Sequence, residues 1–497
     1  MNAKIWIKCK WLYRSKISVP LRPMKREFTI NIILLLFINI LIKPAYIFGI
    51  ETEVQNIVGT EAYGMYFAYF NFVFLFQFIN DPGLQNYNAQ LIAKNRESVS
   101  TLFPDLLMLK FFFSTIFIIL VFIGAYIIKF DNYLLLLLIV INSILSTLFL
   151  NLRGIVSGLG YYRLDTFFSA LDKLLMLVLM GFFLYSPYAN PGFNIFWMIT
   201  IQLISYLAVC ILLLFILFRK VKHVQFDFST AKYKNVLKNS LVYIATVFLL
   251  AGIYRADNVI LGLMTNDFQV GLYSKAYRFL DASNMVILLF TTLLVSVFSA
   301  LSDNKKEIES MVKFSIQIIV VVLCCISFTI YFNAEFLLSS LYDVIDVNLS
   351  LILKIISLII FIFGVANVFG ALIISINELK KLNFYMVFIL LISIVLNYIL
   401  IPTYQVLSLP IVAVLVSSIL LIAEIYISKD YIKFNMYEFL NVLIFIITSF
   451  LIFYIVKNAG MSIFAALIIS NILTIMSAFV FKILNIQELY KLKQIKS

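Results

Sequence analysis

Long apolar runs separated by short polar loops dominate the pattern along this chain. Continuous apolar runs recur from near the first residues to near the last, for example Ile30–Phe48, Phe111–Ile128 and Tyr133–Leu150. A helix that crosses a bilayer needs about 20 apolar residues, whereas the strands of a membrane barrel alternate apolar and polar positions over roughly 10 residues. The pattern therefore predicts an all-α polytopic membrane protein.

Fourteen of these runs are predicted to cross the membrane, and the loops between them are short. No loop is much longer than twenty residues, so the pattern predicts no separate soluble domain. The predicted spans are 29–50, 62–80, 104–128, 133–152, 165–186, 194–218, 239–263, 272–300, 312–332, 350–376, 383–401, 405–428, 438–457 and 461–483.

Lys and Arg residues are concentrated in alternate loops. One set of loops contains residues such as Lys94, Arg219 and Lys220, whereas the other set contains acids such as Glu51 and Asp343. Cytoplasmic loops of membrane proteins carry an excess of Lys and Arg. The alternation continues through all the predicted spans, and it predicts that both termini are cytoplasmic.

An internal repeat connects the two halves of the chain. The segment Ala62–Phe72 aligns with Gln269–Phe279 at an offset of 207 residues, and the alignment pairs Gly64 with Gly271. Each repeat contains six predicted spans, so both copies keep the same orientation in the membrane. Parallel repeats of this kind bind substrate near the middle of the membrane, between the two lobes.

The repeat predicts five regions. Residues 1–27 are a basic cytoplasmic segment, of which residues 1–23 would not be translated if the true start is Met24. The others are an N-lobe of spans 1–6 (28–218), a basic cytoplasmic linker (219–235), a C-lobe of spans 7–12 (236–430), and spans 13–14 with a basic tail (431–497).

Composition excludes several classes of protein. The chain has 497 residues, of which 63% are hydrophobic and 13% charged, so it is far more apolar than a soluble domain. The net charge of +13 lies mainly in short loops, which does not indicate a nucleic-acid-binding surface. Four cysteines without ligand spacing and the single His223 predict no metal site and no bound cofactor.

Charged residues inside the predicted spans are the main functional signal. A charge at the centre of a bilayer costs roughly 2.5–3.5 kcal/mol, so such residues usually face a bundle interior or a water-filled cavity. Five cations are predicted in the outer half of the membrane and are candidate ligand-binding residues: Lys43, Arg255, Lys275, Arg278 and Lys354. Three acids are candidates for ion coupling or charge pairing: Asp257 and Asp281 at the same level, and Asp172 in the inner half.

The sequence permits two interpretations of these charges. The five cations exceed the two acids at their level, which favours an anionic ligand, and the fork of an Arg side chain suits phosphate. Alternatively the charges are structural, with Lys43 and Lys275 reaching the interface and Arg278 pairing with Asp281.

The sequence gives little support for an enzyme. No nucleophile lies near a general base in a recognisable arrangement, and Gly158 and Gly160 form an isolated Gly-x-Gly without a preceding strand. The longest outer loop, Phe332–Asn348, is short and contains only three acids.

Two segments resemble the polysaccharide transporters, the O-antigen-type flippases of the multidrug/oligosaccharidyl-lipid/polysaccharide exporter superfamily. Gly59–Lys94 is similar to the second-span signature of that family, with its Asp-x-Gly-Leu met by Asp81, Gly83 and Leu84. Gly252–Phe279 is similar to the signature of spans seven and eight. The chain departs from the family at Pro82, and in having Lys43 as the only cation of span one.

The resemblance implies a flippase in the bacterial plasma membrane. Its substrate would be an undecaprenyl-pyrophosphate-linked oligosaccharide, such as an O-antigen, capsule or exopolysaccharide repeat unit, carried to the outer leaflet by two rocking lobes. Asp172 or Asp257 would couple transport to H⁺ or Na⁺. Expected partners are the lipid bilayer and polysaccharide polymerase or chain-length proteins. The outer cations would hold the anion late in transit, after capture near Lys110, Arg153 or Lys173.

Two alternatives stay open. A multidrug or cation antiporter of the same superfamily would need an acidic cavity, whereas the buried charge predicted here is mainly positive. A membrane-embedded glycosyltransferase or polysaccharide polymerase would be expected to have larger outer loops and more histidines.

Overall fold

A computed structural model describes most of the chain. It covers residues 41–82, 92, 99–186, 192–220, 230–301, 304–344, 346, 348–433, 435–481 and 483. Within these ranges the regular structure is helical, and none of the described residues forms a strand.

Fourteen long helices follow one another within the described residues. They are α1 (41–58), α2 (Thr60–Leu75), α3 (Val99–Ile127), α4 (Tyr133–Gly158), α5 (Tyr162–Tyr185), α6 (Ile195–Lys220), α7 (Thr230–Met264), α8 (Asp267–Ala300), α9 (Lys305–Phe332), α10 (Leu349–Ser375), α11 (Leu379–Tyr404), α12 (Ser408–Ser428), α13 (Met436–Asn458) and α14 (Ile463–Val480). Short helices at Gln77–Asn80 and Ala334–Ser339 follow α2 and α9.

The helices match the predicted spans closely. Eleven described segments are long and apolar enough to cross a membrane, and one of them, Leu379–Ser428, contains both α11 and α12. The two helices outside that set are α2, which ends at Leu75, and α1, which is described only from residue 41. The prediction of an all-α polytopic membrane protein is confirmed.

The helices form two lobes with two additional helices. In the first lobe α4 packs on α5 and α6, and in the second lobe α10 packs on α8, α9 and α12, while α7 packs on α11. The two lobes meet mainly where α2 packs against α7 and α8. Helices α13 and α14 pack on each other and on α9, outside the repeat.

Two glycines allow a close contact between the lobes. A Cβ atom on Gly64 of α2 would overlap the carbonyl oxygen of Asp267, and a Cβ atom on Gly271 of α8 would overlap the carbonyl oxygen of Thr60. Thr60 and Asp267, like Gly64 and Gly271, are 207 positions apart, so the repeat relates one contact to the other. We call the end of the bundle where α1 meets α2 and α7 meets α8 the hairpin end.

The first helix is longer than the sequence predicts. The predicted span stops at residue 50 because Glu51 and Glu53 resemble loop residues, but the helix continues through a π-helical turn at Ile47–Glu51 and ends at Val58. Gly59 then turns the chain with φ of 86°, a conformation that favours glycine. Glu51 can stay inside the helix because its carboxylate pairs with a buried arginine of α8.

Candidate functional site

A cavity of about 200 Å³ lies at the junction of the two lobes. Its wall comes from α1, α2, α4, α5 and α6 of the first lobe, and from Arg278 on α8 of the second lobe. Two cations, Lys173 and Arg278, and one carboxylate, Glu51, line it together with neutral amides, hydroxyls and aromatic rings.

Arg278 connects the second lobe to the first. Its Nη1 lies 2.9 Å from a carboxylate oxygen of Glu51 and 3.4 Å from Asp281, and its Nη2 donates to the hydroxyl of Tyr63. The guanidinium also lies 5.4 Å from the ring centre of Phe67 and is only 8% exposed. Its Nε is buried without a hydrogen-bond partner, so the side chain retains one free donor.

Arg255 belongs to the same cluster of charges. Its Nη2 lies 3.4 Å from Asp281, its Nη1 donates to Asn71 at 3.3 Å, and its guanidinium lies 5.1 Å from the rings of Phe74 and Tyr277. Asp281 therefore bridges the two arginines, which is the charge-pairing role that the sequence left open.

The arginine cluster itself has no surplus of positive charge. Arg255 and Arg278 are matched by two carboxylates, Asp281 and Glu51. Sequence reasoning assigned Glu51 to an outer loop, because it stands next to a second acid at the end of an apolar run. Its ion pair with Arg278 joins positions far apart in the chain, and local pattern does not reveal such a pair.

Lys173 is the cation of the cavity that lacks an acidic partner. Among the described residues it forms no ion pair with a carboxylate; instead its Nζ lies 4.8 Å from the ring centre of Tyr46 and 5.6 Å from that of Tyr206. It also donates to the hydroxyl of Tyr206 at 3.4 Å. Aromatic faces attract a cation without neutralising its charge, so Lys173 remains available to an anion.

Lys43 lies deeper than predicted. Because α1 continues to Val58, Lys43 is fifteen positions before the end of its helix, or about 22 Å from the hairpin end. Lys43 therefore does not lie at the level of the arginines, although the shorter predicted span had suggested that it would. Asp172 is buried, and its Oδ1 lacks a hydrogen-bond partner.

Two other predicted cations bind protein partners outside the cavity. Lys275 is 2% exposed, and its Nζ donates to the carbonyl of Val344 at 2.9 Å, above the ring of Tyr342. Lys354 lies 3.5 Å from Glu335 at an exposed site. The structure therefore does not bring these two cations together with Arg255 and Arg278.

The remaining predicted residues have separate environments. Asp257 is buried on α7, where its carboxylate accepts from the backbone and side chain of Asn258 and forms no ion pair among the described residues. Lys110 donates to Asn80 at the end of the short helix after α2, and Arg153 lies 2.8 Å from Asp165.

Sequence reasoning missed the neutral part of the cavity and one buried acid. Gln77, Asn142 and Gln202 line the cavity, but isolated amides inside apolar spans carry no distinctive sequence signal. Glu424 on α12 is 5% exposed, forms no ion pair among the described residues, and its Oε2 has no hydrogen-bond partner. A single acid in span twelve was visible in the sequence, and its burial is the feature that only the structure adds.

Solved transporters have the same fold. A lipid II flippase, MurJ, in an inward closed conformation superimposes with a TM-score of 0.64 at 15% identity, covering 92% of this chain and 97% of that chain. An inward-facing multidrug resistance MATE family transporter of the MOP superfamily gives 0.64 at 16% identity over 80% and 97%. A MOP superfamily transporter from Pyrococcus furiosus, described as having reverse polarity of its binding pocket, gives 0.55 at 15% identity over 81% and 93%.

The sequence comparisons identify the family. No curated protein matches the chain. Residues 29–302 match the family described as polysaccharide biosynthesis protein, which covers more than half of the chain and includes both segments that resemble the transporters. The chain belongs to this polysaccharide biosynthesis family and has the fold of the multidrug/oligosaccharidyl-lipid/polysaccharide exporter superfamily.

Proposed function

We propose that this protein is a flippase that moves a polyprenyl-pyrophosphate-linked oligosaccharide between the leaflets of a bacterial plasma membrane. Membership of a polysaccharide biosynthesis family and the fold shared with flippases and exporters support a membrane transporter of this kind. The glycan would be an O-antigen, capsule or exopolysaccharide repeat unit.

One observation carries the proposal: the cavity contains a cation without an acidic partner. Lys173 lies twelve positions from the end of α5 at Tyr185, about 18 Å along the helix and near its middle. A pyrophosphate that crosses the membrane loses its hydration there. Lys173 and the free Nε of Arg278 can replace part of that hydration with charged hydrogen bonds.

The two lobes provide the moving parts. Boundaries at 28–218 and 236–430 place α2 in one lobe and its partners α7 and α8 in the other, so rocking of the lobes would open the cavity to each side in turn. We place both termini in the cytoplasm, which puts the hairpin end outside and capture of the substrate on the inner side. Asp172 and Asp257, which form no ion pair among the described residues, are the candidates for H⁺ or Na⁺ coupling.

Transport in sealed vesicles tests the function. The purified protein is reconstituted into liposomes, and leaflet exchange of a fluorescent polyprenyl-pyrophosphate sugar is followed with an impermeant quencher. A hydrogen bond to a charged group contributes about 1.5–3 kcal/mol, so Lys173→Met should slow exchange by roughly tenfold or more. Lys354→Met, which removes an exposed cation outside the cavity, is the matched control and should keep the wild-type rate.

Two results would contradict the proposal. Wild-type protein that folds correctly but does not accelerate exchange would overturn the flippase function. An undiminished rate in Lys173→Met would show that this lysine does not hold the anion.

A further inference from the structure

We propose that a neutral amide surface in the cavity reads the first sugar of the lipid-linked substrate, beside the cations that hold its phosphates. This amide shelf consists of Gln77, Asn142, Ser143 and Gln202. The inference rests on the flippase function proposed above, and it identifies the residues that determine which glycan is carried.

The shelf consists of two neutral hydrogen-bonded pairs on three helices, and the pairs are adjacent because Asn142 and Ser143 are neighbours in the chain. Asn142 donates to Gln202 at 2.8 Å, from α4 to α6, and Ser143 donates to Gln77, just beyond α2, at 2.6 Å. Gln202 in turn donates to the hydroxyl of Tyr46 on α1 at 3.2 Å. These contacts fix the positions of the amide groups before any ligand enters.

The shelf also has unused hydrogen-bonding capacity. The Oδ1 atom of Asn142 is buried and has no partner, and the amide nitrogen of Gln77 donates to no other described residue. An amide has one acceptor end and one donor end, so whichever way Asn142 is turned, one end bonds Gln202 and the other is left free. A buried polar atom without a partner costs about 1–3 kcal/mol, so a ligand group that satisfies it is favoured by a similar amount.

The free groups of the shelf suit a sugar hydroxyl better than a phosphate. A sugar hydroxyl both donates and accepts, so it can satisfy either end of Asn142 as well as the free donor of Gln77, whereas a phosphate oxygen only accepts. Aromatic rings complete the wall: Tyr66 and Phe70 stack at 6.0 Å, and Phe74 lies one turn further along the same helix. Such rings suit the apolar face of a sugar ring.

The size and connection of the cavity fit the group next to the pyrophosphate. A volume of about 200 Å³ corresponds to roughly seven waters at ~30 Å³ each, which is enough room for one sugar ring. Tyr46 joins the two parts of the site, because its ring lies 4.8 Å from Nζ of Lys173 while its hydroxyl accepts from Gln202. In a sugar attached directly to a phosphate, the sugar would lie on the amide shelf and the phosphate beside Lys173.

A ratio of transport rates tests the shelf. Two short-chain polyprenyl probes are compared in proteoliposomes, one with a bare pyrophosphate and one with a single sugar on it, drawn from a panel of hexoses and N-acetylhexosamines. We expect the wild type to move at least one sugar probe several-fold faster than the bare probe. Asn142→Ala should reduce that ratio towards one, and Gln202→Ala, on another helix, should do the same.

The control and the opposing results separate this inference from the proposed function. Asn367→Ala removes an amide on α10 that bonds only within its own helix, and it should keep the wild-type ratio. Equal rates for all probes in the wild type, or an unchanged ratio in both shelf variants, would overturn the inference while leaving the flippase in place. Movement of no probe at all, bare or sugar-bearing, would overturn the flippase function and this inference together.

Discussion

The paired glycines at the hairpin end allow two matching stability predictions, one for each copy of the repeat. Gly64→Ala places a methyl group on the backbone carbonyl of Asp267, and Gly271→Ala places one on the backbone carbonyl of Thr60. Both obstructing atoms belong to main chain inside or next to a helix, so rotation of a side chain cannot relieve the overlap. The helices α2 and α8 must move apart.

The expected magnitude follows from the cost of overpacking. Inserting a methyl group into a well-packed contact typically costs about 1–3 kcal/mol. Because the repeat relates the two contacts, each substitution should lower the free energy of unfolding by a similar amount within that range. The double variant should lose less than the two losses combined, since the movement of α2 from α8 that accommodates one methyl group also makes room for the other.

Reversible unfolding in mixed micelles, followed by circular dichroism at increasing SDS fraction, measures these free energies. Gly49→Ala is the matched control, because Gly49 lies in helix α1 with no neighbouring atom near its Cβ position, and alanine there should be neutral or stabilising by up to about 1 kcal/mol. Wild-type stability in Gly64→Ala, or a loss in one glycine variant that is absent from the other, would refute the symmetric close contact.

Three further stability predictions use the buried charges. Glu51→Gln should lower the free energy of unfolding by about 3 kcal/mol, since it removes one member of a largely buried ion pair with Arg278. Glu53→Gln, two residues further along the helix, should have little effect, and equal effects of the two substitutions would contradict the pairing. Glu424→Gln should change the free energy of unfolding by less than about 1 kcal/mol, because this buried carboxyl forms no ion pair among the described residues. A large loss of stability would contradict this and would show that Glu424 has a cationic partner. Lys110→Met should cost about 2–3 kcal/mol, since it leaves buried acceptors unsatisfied; a neutral result in the same unfolding assay would contradict that.

Apolar periodicity was sufficient to predict the fold. Helix crossing depends on runs of apolar residues, and the fourteen helices lie where those runs do. The alignment also paired Gly64 with Gly271, and the structure adds that these two positions form a close contact between the lobes, where close backbone approach requires glycine. These are local or repeated signals, and a single sequence contains them.

The site was only partly predictable, because its pairings are between distant positions. The sequence located Arg255, Arg278 and Asp281, but it could not show that Glu51 completes the cluster or that Lys275 bonds a loop carbonyl. Charge counting along the chain treats every buried cation as available to a ligand. The structure assigns most of them to protein partners, and it leaves Lys173 as the exception in the cavity wall.

The position of Arg278 links ligand binding to contact between the lobes. It lines the cavity, yet it also holds the second lobe to Glu51 and Tyr63 of the first. An anion at the free Nε of Arg278 would share the guanidinium charge with Glu51 and repel its carboxylate, so occupancy of the cavity would weaken a contact between the lobes. A ligand shifts a conformational equilibrium only through its different affinity for the two states. Repulsion between Glu51 and a phosphate on Arg278 would provide such a difference, whereas Lys173, whose partners α1 and α6 lie in its own lobe, would contribute affinity without favouring either state.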